Sequence, residues 1–273
     1  MAPPLLTRTT CDELQKARTA HAPRLECSLD LERSRTIVEV GETAWHHEAE
    51  AYPYFDDCRD RTVYHWHDGA WRPLARYGSA LVKLVPTSWG APTFEIDGIK
   101  MLPTSQRSPY VDAREKVALV APARKHILDT CGGLGYFAAW CLAGDATRIV
   151  SFERNADVLW LRSINPWSPA ADPRLELVHA DVIDRIDGLA DASFDAVLHD
   201  PPRFGTAGDL YSGEFYRELA RVLRHRGRLF HYTGAPNRLT SGRDVTREVA
   251  RRLKASGFET RLEGDGVLAV KTG

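Results

Sequence analysis

Four short stretches carry residue types and spacings that could do chemistry. The first is Asp129-Thr130-Cys131-Gly132-Gly133-Leu134-Gly135, a glycine loop between a short apolar strand and an apolar helix. Glycines let the backbone approach a ligand closely, and the helix start that follows offers free N–H groups, so the loop suits a nucleotide-like ligand. The second is Glu153, with Arg154 beside it, about 20 residues beyond the loop. At that spacing an acidic side chain can accept both hydroxyls of a ribose. The third is Asp181-Val182 at the end of a later strand. Asp181 can accept from an adenine amino group while Val182 packs on the ring; equally, Asp181 can cap whatever follows. The fourth is His199-Asp200-Pro201-Pro202-Arg203-Phe204, where two prolines hold an extended backbone past a strand and turn carbonyls toward a ligand. A dinucleotide fingerprint needs GxGxxG. Here Gly132 and Gly135 give only GxxG, and bulky Tyr136 and Phe137 follow at once, which favours a ligand without phosphates.

These stretches need a scaffold that gathers strand ends. From His126 onward, strands are expected at His126–Asp129, Arg148–Glu153, Leu175–Ala180, Phe194–Asp200, Gly227–Tyr232 and Gly266–Lys271. Helices are expected between them at Gly135–Leu142, Ala156–Ile164, Asp209–Leu223 and Arg243–Ser256, with Gly257 as a C-terminal stop. This alternation predicts right-handed crossovers and a doubly wound, Rossmann-like, mostly parallel α/β sheet. Ligands of such sheets lie beyond the carboxyl ends of the strands, where strand order reverses. The preceding part is β-rich: alternation over Thr36–Val40, Thr62–Trp66 and Ala80–Val85, hairpin turns over His67–Trp71 and Phe94–Ile99, and short helices at Cys11–Ala20 and Val111–Val120. We divide the chain into a β-rich N-terminal cap or substrate region, 1–107, and a ligand-binding domain, 108–273. The aromatic residues of the cap serve either as core or as a substrate wall.

Hydrophobic residues make up 43% and charged residues 27% of the 273-residue chain, as in a soluble globular protein. A net charge of −1 supplies no global basic field for nucleic acid. The five cysteines include no CxxC pair, which argues against a disulfide framework or zinc site and for a reducing, cytoplasmic setting. His46-His47 and His65/His67 have no partnering carboxylates, so no metal is expected. Neither a signal peptide nor a membrane span is apparent, and nothing in the sequence fixes an oligomeric state.

Taken in order, the four motifs resemble those of the class I S-adenosylmethionine (SAM)-dependent methyltransferases over about residues 108–273. DTCGGLG is similar to the family's first glycine motif, Glu153 to its ribose acid, Asp181 to its adenine contact, and Asp200-Pro201-Pro202 to its [DN]PP-type fourth motif. HDPPRF, with the later Gly208–Ser212 and Phe230–Gly234, is similar to a narrower group of methyltransferases known from sequence, and kinship with azetidine-2-carboxylate synthases is suspected. The β-rich front loosely resembles the N-terminal part of polyamine aminopropyltransferases. The resemblance implies SAM, as methyl donor or as substrate, bound by Asp129, Thr130, Cys131, Gly132, Gly133, Gly135, Glu153, Arg154, Asp181 and Val182. Arg203 stands where the [DN]PP[YF] motif has an aromatic residue, which argues against stacking of a flipped nucleobase. The expected partner is therefore a small molecule, not a nucleic acid or a membrane.

SAM offers three electrophilic carbons, and the reaction depends on which one faces a nucleophile in line with its C–S bond. Methyl attack gives a methylated acceptor and S-adenosylhomocysteine. Attack at Cγ transfers the aminocarboxypropyl arm or closes a four-membered ring, releasing methylthioadenosine. On the reaction side the candidates are His199 as a base, Asp200 as an orienter of an amine, and Tyr211, Tyr232 and Tyr110 as walls around a sulfonium. Cys131 contributes only its backbone, and Asn165 reads as a turn residue.

Overall fold

The computed structural model of the chain describes residues 3–203, 205, 207–234 and 244–273. Two compact units form: Met1–Val111 with Trp160–Trp167, and Asp112–Leu159 with Ser168–Gly273. The division thus falls at Val111 and not at residue 107, and the segment Trp160–Trp167 groups with the first unit.

The N-terminal unit opens with β1 (Leu5–Leu6) and α1 (Arg8–Thr19). Then come β2 (Arg24–Cys27), β3 (Thr36–Val40), β4 (Ala44–His47), β5 (Glu50–Pro53), β6 (Tyr64–His67), β7 (Ala70–Pro73), β8 (Ala75–Tyr77), β9 (Leu81–Thr87), β10 (Gly90–Ile96) and β11 (Ile99–Lys100). They pair as three antiparallel sheets, β1-β6-β7, β2-β3-β4-β5 and β11-β10-β9-β8. α1 starts before the expected Cys11 because Thr7 caps it, its hydroxyl accepting from the Thr10 N–H at 3.3 Å. The β6–β7 turn places Asp68 and Gly69 at φ 50° and 71°, the positive values that a two-residue hairpin turn needs. The core joins Leu6, Leu14, Val38, Trp45, Tyr52, Tyr64 and Trp71. Most of the aromatic residues flagged in the sequence are therefore core, while Tyr77 and Trp89 are exposed. One expectation is corrected here: Cys11 and Cys58 form a disulfide. Folding brings their Cα atoms to 6.6 Å, within bridging range, although 47 residues separate them in sequence.

α2 (Pro109–Val120) leads into the second unit, which holds β12 (His126–Asp129), α3 (Tyr136–Ala143), β13 (Arg148–Glu153), the start of α4 (Ala156–Ile164), β14 (Leu175–His179), β15 (Phe194–His199), α5 (Gly213–Val222), β16 (Leu223–Tyr232), α6 (Val245–Ala255), β17 (Phe258–Glu263) and β18 (Gly266–Lys271). The seven strands are ordered β14-β13-β12-β15-β16-β18-β17. The first five are parallel; β18 runs antiparallel to both its neighbours. The sheet is thus the doubly wound, mostly parallel one expected, with an additional strand, β17, on its edge. Strand order reverses between β12 and β15, which fixes the switch point beside the glycine loop. Instead of one helix over 209–223, a 3-10 turn at Gly208–Tyr211 precedes α5, because Ser212 caps the helix through the Phe215 N–H at 3.1 Å. Gly257, at φ 89°, follows α6 as a left-handed stop; the expected helix start at Arg243 lies outside the described residues. Among the described residues no helix is long and apolar enough to cross a membrane.

Candidate active site

The parallel register aligns the carboxyl ends of the central strands. Asp129 lies opposite Ser151 and Leu198, Glu153 opposite His179, and His199 opposite His231. The motif residues therefore share one edge of the sheet. The glycine loop leaves β12 with its N–H groups directed by specific bonds. Gly132 N–H donates to the Phe152 carbonyl at 2.7 Å and Gly133 N–H to Glu153 Oε2 at 2.9 Å. Gly133 and Gly135 take φ of 50° and 82°, which side chains rarely tolerate, and Gly135 caps α3. The spacing that linked the loop to Glu153 in the sequence is thus a direct contact. The other Glu153 oxygen accepts from Asn155 N–H at 2.8 Å, and Asn155 Oδ1 caps α4. A carboxylate has lone pairs enough to accept ribose hydroxyls as well.

Several of the residues expected at the ligand also brace the frame. Asp129 is fully buried and accepts from the Ser151 hydroxyl at 2.8 Å, bracing the two strand ends. Thr130 is buried, with its Oγ1 at 2.7 Å from His199 Nδ1. The Val182 side chain lies in the core with Ile186. Asp181 does not cap the next helix, which starts at Ile186; it closes the turn after β14, accepting from Ile183 N–H at 3.0 Å, and pairs with Arg154 at 3.1 Å. Cys131 packs against the core, and burial raises its thiol well above the ordinary value, so it is no thiolate nucleophile.

His199 is corrected from base to frame. It is wholly buried, and its Nε2–H donates to the Leu210 carbonyl at 3.0 Å. Nδ1 must then accept from Thr130. Burial holds the ring at a pKa of about 4, so it stays neutral with both nitrogens engaged. His231 beside it, with ring centroids 4.4 Å apart, is held in the same way: Nδ1–H donates to the Tyr232 carbonyl at 3.0 Å and Nε2 accepts from the Tyr216 hydroxyl at 2.9 Å. Tyr211 is likewise corrected. It is buried, and its hydroxyl donates to the Pro202 carbonyl at 3.1 Å, fixing the loop after the double proline. Phe204 lies outside the described residues. Tyr110 belongs to the N-terminal unit, where its ring meets Trp167 edge-on. Asn165 is a turn residue, accepting from Trp167 N–H at 3.2 Å.

Asp200 and Tyr232 remain, joined by a residue that the sequence reading passed over. Lys116 of α2 lies with its ammonium 2.8 Å from Asp112, 3.2 Å from Asp200 and 3.4 Å from the Tyr232 ring centroid. Its side chain is only 7% exposed. Burial raises the Asp200 carboxyl above the ordinary value, and the Lys116 charge opposes that rise. The signal available in the sequence was Asp112 and Lys116 four apart on one helix face, a spacing shared by many surface pairs. Around the loop, five carboxylates (Asp112, Asp129, Glu153, Asp181 and Asp200) accompany two ion-paired cations, Lys116 and Arg154. Such a surplus of negative charge disfavours a pyrophosphate and suits a ligand carrying positive charge. Among the described residues no cluster of His, Cys, Asp and Glu could hold a metal ion.

Comparison with known proteins gives a consistent fold. No protein-family model matches the chain. Uncharacterized protein MJ1233 of Methanocaldococcus jannaschii is 41% identical over 214 residues, covering 77% of this chain and 73% of its own. A spermidine synthase in complex with the transition-state analogue AdoDATO superposes with a TM-score of 0.60 at 18% identity, covering 72% of each chain. Spermidine synthase from Thermotoga maritima gives 0.58 at 19% identity, covering 72% of this chain and 71% of its own. A Streptococcus mutans protein assigned to the SAM-dependent methyltransferases gives 0.50 at 15% identity, covering 76% of this chain and 57% of its own. The fold is thus the class I fold that SAM-dependent methyltransferases share with spermidine synthase.

Proposed function

As a chain that belongs to the same family as protein MJ1233 of Methanocaldococcus jannaschii, this protein is, we propose, a SAM-dependent transferase that moves the SAM methyl group to a small acceptor in small-molecule metabolism. The observation that carries this reading is the Gly133–Glu153 contact at the switch point, on the same sheet edge as Asp200. When bound, SAM supplies a carbon activated by the adjacent sulfonium. Glu153 would hold its ribose, the N–H groups of the glycine loop would lie along its backbone, and the surplus of carboxylates would favour its positive charge. Asp200 would orient an acceptor amine, the Lys116 charge opposing the rise that burial imposes on its carboxyl. Residues that bind without reacting suit this role, because the nucleophile comes from the acceptor.

A second reading, attack at the SAM Cγ carbon with loss of methylthioadenosine, draws support from one observation. The spermidine synthase matches span 72% of the chain, more than the Rossmann-like unit alone can supply. Azetidine-2-carboxylate formation belongs to this reading. Incubating the purified protein with SAM and no acceptor separates the two. The methyl-transfer reading expects SAM to persist until an acceptor is added and then to yield S-adenosylhomocysteine. Prompt methylthioadenosine, with a small imino acid, would replace it with the second. A reducing, cytoplasmic setting is part of the same proposal. The free thiols of Cys27, Cys131 and Cys141 support it, and the Cys11–Cys58 bridge is the feature it must accommodate.

A further inference from the structure

The N-terminal unit holds a cavity of about 230 Å³, half open to solvent, lined by exposed Arg61, Ser88 and Lys100 with Pro86, Thr93 and Thr104, among others. Its walls are built. The Trp89 indole N–H donates to the Thr104 carbonyl at 3.0 Å, and buried Thr93 Oγ1 accepts from Leu102 N–H at 3.2 Å, so the strap after β11 is tied to the β9–β10 hairpin. The charges around the cavity do not balance. Buried Glu95 serves two cations, Arg61 and, at 3.6 Å, Lys83. Lys100 donates to the Thr104 hydroxyl at 2.8 Å and has no carboxylate partner among the described residues. The Ser88 hydroxyl has no hydrogen-bond partner among the described residues either, and the Thr104 hydroxyl, having accepted from Lys100, still has its own proton to give. Arg61, Lys100, Ser88 and Thr104 thus offer donors around a space smaller than the roughly 300–1,000 Å³ of pockets for drug-sized ligands.

We propose that this cavity binds a tetrahedral oxyanion, either free phosphate or the phosphoryl end of a small ester. A guanidinium, an ammonium and two hydroxyls match the several acceptor oxygens of such a group, and charge-assisted bonds to it are about twice as strong as neutral ones. The site is independent of the SAM-dependent reading, since none of its residues belongs to the Rossmann-like unit.

The test is a calorimetric titration of the full-length protein with inorganic phosphate and, separately, with glycerol 3-phosphate. Saturable binding of either probe is expected; preference for the ester would identify the ligand as an organic phosphate, and equal affinity as the ion itself. Lys100→Ala and Ser88→Ala, both at exposed or half-exposed positions, should weaken binding, Lys100→Ala by about tenfold. Arg72→Ala, an exposed cation on β7, and Glu153→Ala should leave it unchanged. No binding of either probe, or an equal loss in Arg72→Ala and Lys100→Ala, would overturn the proposal.

Discussion

In the N-terminal unit the deepest rings are apolar neighbours: Trp45 stacks on Tyr52 at 4.7 Å and lies 6.1 Å from Trp71. In the Rossmann-like unit the rings buried at the carboxyl end of the central strands include His199 and His231, and each has hydrogen bonds at both nitrogens. The first arrangement rests mainly on area and shape, with hydrogen bonds from the Tyr52 hydroxyl to Glu50 and from the Trp71 indole N–H to the Pro53 carbonyl. The second needs every partner in place, because a buried polar group left unpaired costs more than a made bond returns. The contrast explains why the histidine of the HDPP motif is a poor base. It joins the strand end to the loop that presents Asp200, and burial disfavours the positive charge that a base would have to take up. The same contrast divides the aromatic residues. Those of the front unit are mostly core, whereas the half-buried Tyr232 ring lies under the Lys116 ammonium at the site.

The two kinds of core should respond most differently to loss of a large apolar ring. Trp45→Ala should destabilise the protein by about 3–5 kcal/mol, the cost of a large cavity, measured by denaturant unfolding. SAM affinity per folded molecule should not change; a parallel loss of affinity would mean that the front unit's core shapes the SAM site. Next, Lys116→Met should cost about 3 kcal/mol at neutral pH, because it leaves Asp112 and Asp200 without their shared cation. The sign follows from Asp200, whose value in the folded protein lies above the ordinary one and rises further when the ammonium is removed. A group raised in this way favours folding at low pH, so the deficit should open as pH climbs through the raised Asp200 value and close below the ordinary carboxylate range. A deficit independent of pH would detach Lys116 from Asp200. The smallest effect of pH is that carried by the ionisation of His199 itself. With its folded value depressed to about 4, its contribution is present above the ordinary histidine value of about 6.5 and is lost as pH falls between the two. Melting temperatures followed from pH 7 to about pH 4 should fall through this window, and His199→Gln should flatten the slope.

How much of this was legible in the sequence depended on how locally each feature is determined. The strand Arg148–Glu153, the helix Ala156–Ile164 and the Gly257 stop are fixed by periodicity and a positive φ, and they occur where the residues predict. The glycine loop and Glu153 were legible because a βα turn sets their spacing. β17 was missed because its edge sequence, FETRLE, is half charged, as exposed edges often are, and only pairing with β18 reveals it. Lys116 was missed for a different reason. Its partners come from α2, the end of β15 and the end of β16, so its burial is a property of the fold and not of its neighbours in the chain. The Cys11–Cys58 bridge and the membership of Trp160–Trp167 in the first unit are long-range facts of the same kind.

The central claim, that the loop held by Glu153 is the SAM site, meets its most direct test in calorimetry of SAM binding to the wild-type protein and to Glu153→Ala. The wild type should bind SAM measurably, and the variant should lose on the order of 2 kcal/mol, from hydrogen bonds to a charged acceptor. An affinity unchanged by the substitution, or wild-type protein that does not bind SAM at all, would contradict it.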